Sequence, residues 1–378
     1  MKAKIYIAQY DYYILFVYML LMFIGLYMQL NISSVRTSMS FFYRQFTWFG
    51  LSLLSLWIAF KFVNLNKIRN YTFFFLIITI LLLILVLILG ENVKGAVRSI
   101  RIWKINIQPS LIARIVLILY FAHFLDKKQR LIPKSHPKGF LRNFNALIVM
   151  PLIIFILILL EKHFSPLIIS GLTLISILLL AKIRYSTILL IIGILFISIV
   201  LILELGPKYR SERMQIYSKY SLFNKAMNEE SEYHGTNDYQ IKEGLISLSS
   251  GKMFGTSPQR GTGKHYFLPE AKTDYVFAII GEEFGFLGAL FVLGLYVFLF
   301  IRSIISSYHK EDLYLKLAGI GLGMNIFFNA MVNIGVAMAA IPSTGVTLPF
   351  ISYGGTSLLV NSFTIGLLLN ISATRQKF

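Results

Sequence analysis

From Thr72 to Gly90 the chain runs for nineteen residues without a charged side chain. A helix of about 20 apolar residues crosses the roughly 30 Å hydrocarbon layer of a bilayer, so this run reads as a transmembrane span. The composition extends that reading to the whole chain. Hydrophobic residues make up 56%, charged residues only 14%, and the mean hydropathy is +0.70, too apolar for a soluble fold built on one core. The apolar segments are continuous rather than alternating, which favours helices over a barrel, because backbone in lipid must satisfy its own hydrogen bonds. The expected fold is all-α: a polytopic integral membrane protein, residues 1–378 forming a single transmembrane domain.

Apolar runs predict spans near 12–31, 43–63, 71–90, 108–126, 144–161, 164–181, 186–205, 275–301, 314–340 and 353–373, about ten in all. Orientation follows from Lys and Arg in the short connections. Lys2 and Lys4, Lys67 and Arg69, the cluster from Lys127 to Arg142, Lys182 and Arg184, Arg302 and Lys310, and Arg375 and Lys377 all fall on one side. Both termini are therefore expected in the cytoplasm. Glu91–Ile107, the large loop 206–274 between helices seven and eight, and the turn Ile341–Ser352 are expected outside. The first apolar segment lacks a small-residue cleavage site and is read as an uncleaved helix.

The net charge of +19 is scattered over loops rather than gathered in a soluble patch, so anionic lipid headgroups are the expected partners and nucleic acid is not. The chain has no cysteine, which excludes thiol and disulfide chemistry. It carries no Walker phosphate loop, zinc spacing or dinucleotide fingerprint, so no cofactor is evident, and divalent-metal dependence stays open. Gly255–Gly263 follows no strand and reads as a flexible loop. No internal repeat of the kind built into inverted-repeat transporters is visible.

Asp274 stands where the long polar loop meets the eighth apolar run, at the membrane edge, in a chain poor in acids. Two readings fit. A partly desolvated carboxylate is a competent general base, and an Asp ahead of an apolar run is also a common helix N-cap. Glu282 and Glu283, two turns further on, are costly in a membrane and are expected to pair with polar or basic neighbours. Pro342, Gly345, Pro349 and Gly354-Gly355 prevent a continuous helix across Ile341–Gly355, so this turn is expected to be re-entrant and to wall a cavity.

Three segments carry a family resemblance: Gly95–Arg98 through Gln108-Pro109-Ser110, Lys264–Gly288 with its Lys272-Thr273-Asp274-Tyr275 core, and Asn333-Ile334-Gly335 through Ile341–Ser357. In order and spacing the chain resembles the SEDS family of shape, elongation, division and sporulation proteins, which includes RodA, FtsW and SpoVE. The resemblance implies a peptidoglycan glycosyltransferase at the outer face of the cytoplasmic membrane. Such an enzyme polymerises lipid II and works with a class B penicillin-binding protein. It implies Asp274 as the catalytic acidic residue. Arg98, Arg213 and Lys264 match basic positions of the family pattern and are expected to bind substrate, together with Glu270, Thr273 and Arg114. Pyrophosphate recognition suits such cations, guanidinium above all.

The chain also departs from the pattern. Leu111 and Arg114 stand where the family has Glu and Lys, Ser99 replaces a Trp, and His163 replaces an Asp in some relatives. Two rivals stand beside this reading: a lipid II flippase, which requires charged residues at several depths, and a non-catalytic scaffold that recruits a cell-wall synthase, which these departures keep in view.

Overall fold

Helix boundaries follow local chemistry. In the computed structural model, α1 (Tyr12–Val35) and α2 (Ser40–Lys61) are followed by α3 (Leu65–Leu89), whose N-cap Asn64 accepts a bond from Lys67 N. Then come α4 (Pro109–Lys127), a short α5 (Pro137–Asn143), α6 (Ala146–Leu160), α7 (Ser165–Leu180) and α8 (Tyr185–Glu204). Pro109, Pro137 and Pro166 stand in the first helical turn, where a missing N–H costs nothing. Further along the chain follow α9 (Asp238–Ser250), α10 (Val276–Tyr308), α11 (Leu313–Ala337) and α12 (Gly355–Ser372). The N-cap Asp312 of α11 accepts from Tyr314 N at 2.9 Å. The structure describes residues 5–35, 39–90, 92–93, 96–102, 105–162, 164–204, 217, 219–220, 238–257, 261, 263, 272–343 and 345–377.

Each of the ten predicted apolar segments overlaps one of these helices. Among the described residues six helices are long and apolar enough to cross a membrane: α1, α3, α4, α10, α11 and α12. The pair α5 and α6, bent by 80°, makes a seventh if taken as one span. The protein is a multi-pass membrane protein. Outward-facing Phe16, Phe74, Ile88, Leu152 and Phe291 are more than a third exposed, as lipid-facing side chains are.

Small residues let the helices approach closely. A Cβ on Gly366 of α12 would lie 2.4 Å from Leu56 O of α2, and one on Gly319 of α11 would lie 2.1 Å from Ser307 Oγ of α10. Asn370 on α12 caps the last turn of α2, its Nδ2 donating to the carbonyls of Ala59, Phe60 and Val63.

Among the described residues strands are few and short. β2 (Asn92–Val93) pairs with β3 (Ala96–Val97), and β4 (Ile100–Ile102) with β5 (Ile105–Ile107), between α3 and α4. β1 (Ile5–Gln9) pairs antiparallel with β6 (Thr374–Lys377), bringing both ends of the described chain to one end of the bundle. Ion pairs gather at the same end. Arg302 holds Asp11 at 2.6 Å, and Arg69 on α3 reaches Asp126 on α4 at 2.9 Å and Asp312 at 3.1 Å. The opposite end carries the long connections and the candidate site.

Candidate active site

The turn Lys272-Thr273-Asp274 is gripped by its backbone. Lys272 O accepts from Gln29 Nε2 of α1 at 3.1 Å and from Tyr353 N at 2.8 Å. Thr273 O accepts from the hydroxyl of Ser352, whose oxygen in turn accepts from Leu348 N at 2.8 Å. Asp274 O accepts from Asn333 Nδ2 of α11 at 3.0 Å, and the same amide reaches Val346 O at 2.6 Å. The Lys272 ammonium lies 3.6 Å from the Phe41 ring of α2, a cation–π contact. Three consecutive carbonyls are thus fixed from α1, α11 and the 338–354 connection, with α2 held alongside.

That connection re-enters the bundle, as its prolines and glycines predict. Pro349 O accepts from the Tyr296 hydroxyl midway along α10, and Phe350 meets the Tyr18 ring of α1 edge-on at 5.2 Å. Gly25 permits this approach: a Cβ there would lie 2.4 Å from Phe350 O. Gly345, with φ +69°, turns the backbone beside Asp274.

Charge converges at that glycine. A Cβ built on Gly345 would lie 3.4 Å from Arg98 Nη1 and 3.7 Å from Asp274 Oδ2. A guanidinium from the β3–β4 connection and the carboxylate of the Asp turn therefore face one point on the backbone. Arg114 approaches the same connection from α4. It is buried, donates Nη1 to Asn329 Oδ1 at 3.1 Å, and Asn329 passes a bond at 3.5 Å to Thr347 O, two residues beyond Gly345. The Nε of Arg114 has no partner among the described residues, and Leu111 beside it is buried apolar surface. Thr273 contributes its carbonyl to the grip described above. Arg213, Lys264, Glu270 and His163 lie outside the described residues.

The helix-cap reading of Asp274 does not fit α10: its N-cap residue is Tyr275, and the helix opens at Val276. Glu282 and Glu283 are both buried. Glu283 accepts from Asn31 Nδ2 of α1, and Glu282 accepts from Gly263 N at 3.2 and 3.1 Å through its two carboxylate oxygens. Both glutamates precede a break in α10 at Gly285, with φ 69° and ψ −168°. Lys272 O and Glu283 Oε2 meet α1 two residues apart, at Gln29 and Asn31. Val276–Phe284 therefore crosses α1 instead of descending beside it, since a helix of that length rises about 1.5 Å per residue. The two glutamates line this crossing segment and are not deep in the span.

Of the Gly255–Gly263 stretch read as a flexible loop, residues 255–257 belong to a fixed segment, 251–257, while 258–260 and 262 lie outside the described residues. The fixed segment is seated on the helix break: Phe286 N donates to Lys252 O at 2.8 Å, Leu287 N to Met253 O at 3.3 Å, and Thr256 N to Glu282 O at 2.9 Å. The break leaves α10 backbone groups without helical partners, and the loop supplies them. Its glycines are there because the two backbones touch, not because the chain must flex.

Sequence reading missed Gln29, Asn329, Asn333 and Ser352 as parts of the site. A signal was present. Asn325, Asn329 and Asn333 recur every fourth residue in an apolar helix, one polar stripe that lipid does not tolerate.

Comparison with known proteins agrees with an all-α membrane fold. The family described as "Cell cycle protein", the FtsW/RodA/SpoVE family, matches residues 8–377. A Coxiella burnetii protein named "Probable peptidoglycan glycosyltransferase FtsW" is 32% identical over 374 residues, 96% of each chain. A Geobacter metallireducens protein of the same name is 32% identical over 76% of this chain and 72% of its own. Thermus thermophilus "Rod shape determining protein RodA" has the same fold, with a TM-score of 0.68 at 23% identity over 97% of both chains. So does a chain from a structure described as "Structural coordination of polymerization and crosslinking by a peptidoglycan synthase complex", with a TM-score of 0.75 at 22% identity over 97% of this chain and 98% of that one. The chain belongs to the FtsW/RodA/SpoVE family.

Proposed function

We propose that the protein is a peptidoglycan glycosyltransferase that polymerises lipid II into glycan strands at the outer face of the cytoplasmic membrane, with Asp274 as general base. The observation that carries this reading is the meeting of the Asp274 carboxylate and the Arg98 guanidinium at Gly345. Extending a glycan requires a sugar hydroxyl of one chain to attack the anomeric carbon of another. The new C–O bond forms as the bond to the lipid pyrophosphate breaks. The carboxylate takes the hydroxyl proton and the pyrophosphate leaves with the electron pair. A neighbouring guanidinium suits the charge that develops on the leaving group. Arg213, Lys264, Glu270, Thr273 and Arg114 complete the proposed substrate-binding set. The names of the relatives support the same reaction.

Orientation belongs to the same proposal. With both described chain ends at one end of the bundle, the number of crossings is even, and the ten predicted spans satisfy that. The basic short connections assign the strand-paired end to the cytoplasm, and the site to the outside. A reporter fused after Lys138 is expected in the cytoplasm and one inserted near Glu230 outside. Both on one side would overturn the arrangement. The partner is proposed to be a class B penicillin-binding protein, which would cross-link the strands made here.

A flippase needs a polar route between the two ends. The stripe Asn333, Asn329, Asn325 leads inward from the site and stops at Gly321, where α4 and α7 close in. A Cβ on Gly321 would lie 2.7 Å from Ile177 Cδ1 and 2.8 Å from Ile118 Cγ2. This apolar closure favours polymerisation. Purified protein supplied with labelled lipid II in liposomes is expected to yield glycan ladders. Leaflet exchange without ladders would replace the proposal with transport, and neither result would leave a scaffold.

Arg98 gives a second check. Arg98→Ala is expected to lower polymerisation roughly 10- to 100-fold, the range for losing a hydrogen bond to a charged group. Arg98→Lys is expected to lose less, keeping the charge without the planar fork. An alanine variant with wild-type rate and saturation would remove Arg98 from the site.

A further inference from the structure

Among the described residues, the most exposed loop aromatic at the site end of the molecule sits on a tightly constrained loop. Lys252-Met253-Phe254 forms the tip of the segment that plugs the α10 break. In a short stretch Lys252, Gly255 and Ser257 all adopt positive φ, at 47°, 85° and 81°. Non-glycine residues reach that region only where the surroundings impose it. Here the imposition is the opposing backbone. A Cβ on Gly251 would lie 1.9 Å from Gly281 O, and one on Gly255 would lie 2.1 Å from Glu283 O. Yet the side chains that this scaffold presents face outward: Phe254 is 80% exposed and Met253 53%.

Their depth follows from α10. The helix has 33 residues, but its first turns, up to Phe284, cross α1 and do not descend. The part beyond the break, Phe286–Tyr308, is about 35 Å long at 1.5 Å per residue, enough for the roughly 30 Å hydrocarbon layer with little to spare. Gly285 thus lies at the upper boundary of the hydrocarbon. Met253 O and Lys252 O are bonded to the amides just below it, so the tip shares that level. Phe286, Leu287, Leu290 and Phe291, all exposed, carry a lipid-facing stripe down α10 from the same point. Phe254 and Met253 continue that stripe upward, and exposed Lys252 stands beside them with a cation at headgroup height.

We propose that Lys252-Met253-Phe254 is a bilayer-inserted wedge: Met253 and Phe254 enter the boundary of the leaflet on the site side, and Lys252 binds its anionic headgroups. The loop that completes the backbone of α10 next to the Asp turn is thereby anchored in lipid. The assignment depends on the position of the break in α10 and not on the identity of the reaction.

The chain lacks cysteine, so a single introduced thiol is unambiguous. Full-length Phe254→Cys and, separately, Met253→Cys would be labelled with a nitroxide and reconstituted without partners in vesicles of phosphatidylethanolamine and phosphatidylglycerol. Collision with oxygen is measured against collision with a water-soluble nickel chelate. Tyr239→Cys on α9 and Leu290→Cys on α10 supply the water and lipid references. Oxygen accessibility above nickel accessibility at both 253 and 254, as at 290, is the expected result. Nickel accessibility above oxygen at both positions, as at 239, would overturn the wedge and identify an aqueous surface that awaits a protein partner. Because two positions are labelled, a folding defect in one variant leaves the other to decide, and disagreement between two folded variants also counts against insertion.

Discussion

Replacing Asp274 with asparagine is expected to lower glycan polymerisation by about 10²–10⁴-fold, the usual worth of general-base assistance, with membrane insertion and thermal stability unchanged. The expectation rests on what holds the residue. Asn333 and Ser352 bond to the carbonyls of Asp274 and Thr273, so an isosteric side-chain change leaves those contacts intact. Asp274→Glu is also expected to be poor, because one methylene moves the carboxylate by about 1 Å, and displacements of that size cost on the order of 10²-fold. Were Asp274 only a structural residue of the turn, the isosteric asparagine would serve about equally well. Ladder formation from labelled lipid II, measured beside the melting curve of the same preparation, decides between them. An asparagine variant that polymerises at the wild-type rate ends the catalytic assignment.

The second large effect is expected at Gly285. Its φ of 69° with ψ of −168° lies in a region that only glycine occupies comfortably. A Cβ there would also meet Gly255 N at 2.4 Å and Met253 O at 2.5 Å. Gly285→Ala is therefore expected to cost at least about 1–3 kcal/mol in backbone strain, and to loosen the loop from the helix break. Gly294, further down α10, is the control: a Cβ there meets nothing within 4 Å. Gly294→Ala is expected to be neutral or slightly stabilising, since alanine is the better helix former. Thermal unfolding of both variants in one detergent reads the difference. Equal melting temperatures would mean that the break is not held as described.

The helices were legible because lipid demands long apolar runs, and ten such runs overlap ten helices. The break inside α10 was not. Gly281, Gly285 and Gly288 look alike in sequence, and only the second takes positive φ, because only there does a loop arrive to satisfy the opened backbone. The same blindness made the Gly255 segment read as flexible. Glycines that permit close contact and glycines that permit motion are the same residue, and the difference lies in a partner distant in the chain. Asp274 was legible through its motif and its place at a polar-to-apolar junction. The residues that hold it were harder to see, because Gln29, Asn333 and Ser352 bind main-chain atoms and leave no complementary charge or pattern at 272–274. Arg98 stood out through its match to a basic position of the family pattern, but its meeting with Asp274 depends on a turn at Gly345 that joins distant segments.

The grip on 272–274 has a consequence for how such a site changes over time. Hydrogen bonds to carbonyls do not depend on which side chain the residue carries. The surrounding helices therefore recognise chiefly the path of the chain, and an exchanged side chain on that turn leaves these main-chain bonds in place. Exchanging Lys272 gives up its cation–π contact with Phe41, but the bonds to the main chain still deliver the carboxylate two residues later to the same place. Inheritance of position is in this way separated from inheritance of chemistry, which allows one scaffold to carry divergent members.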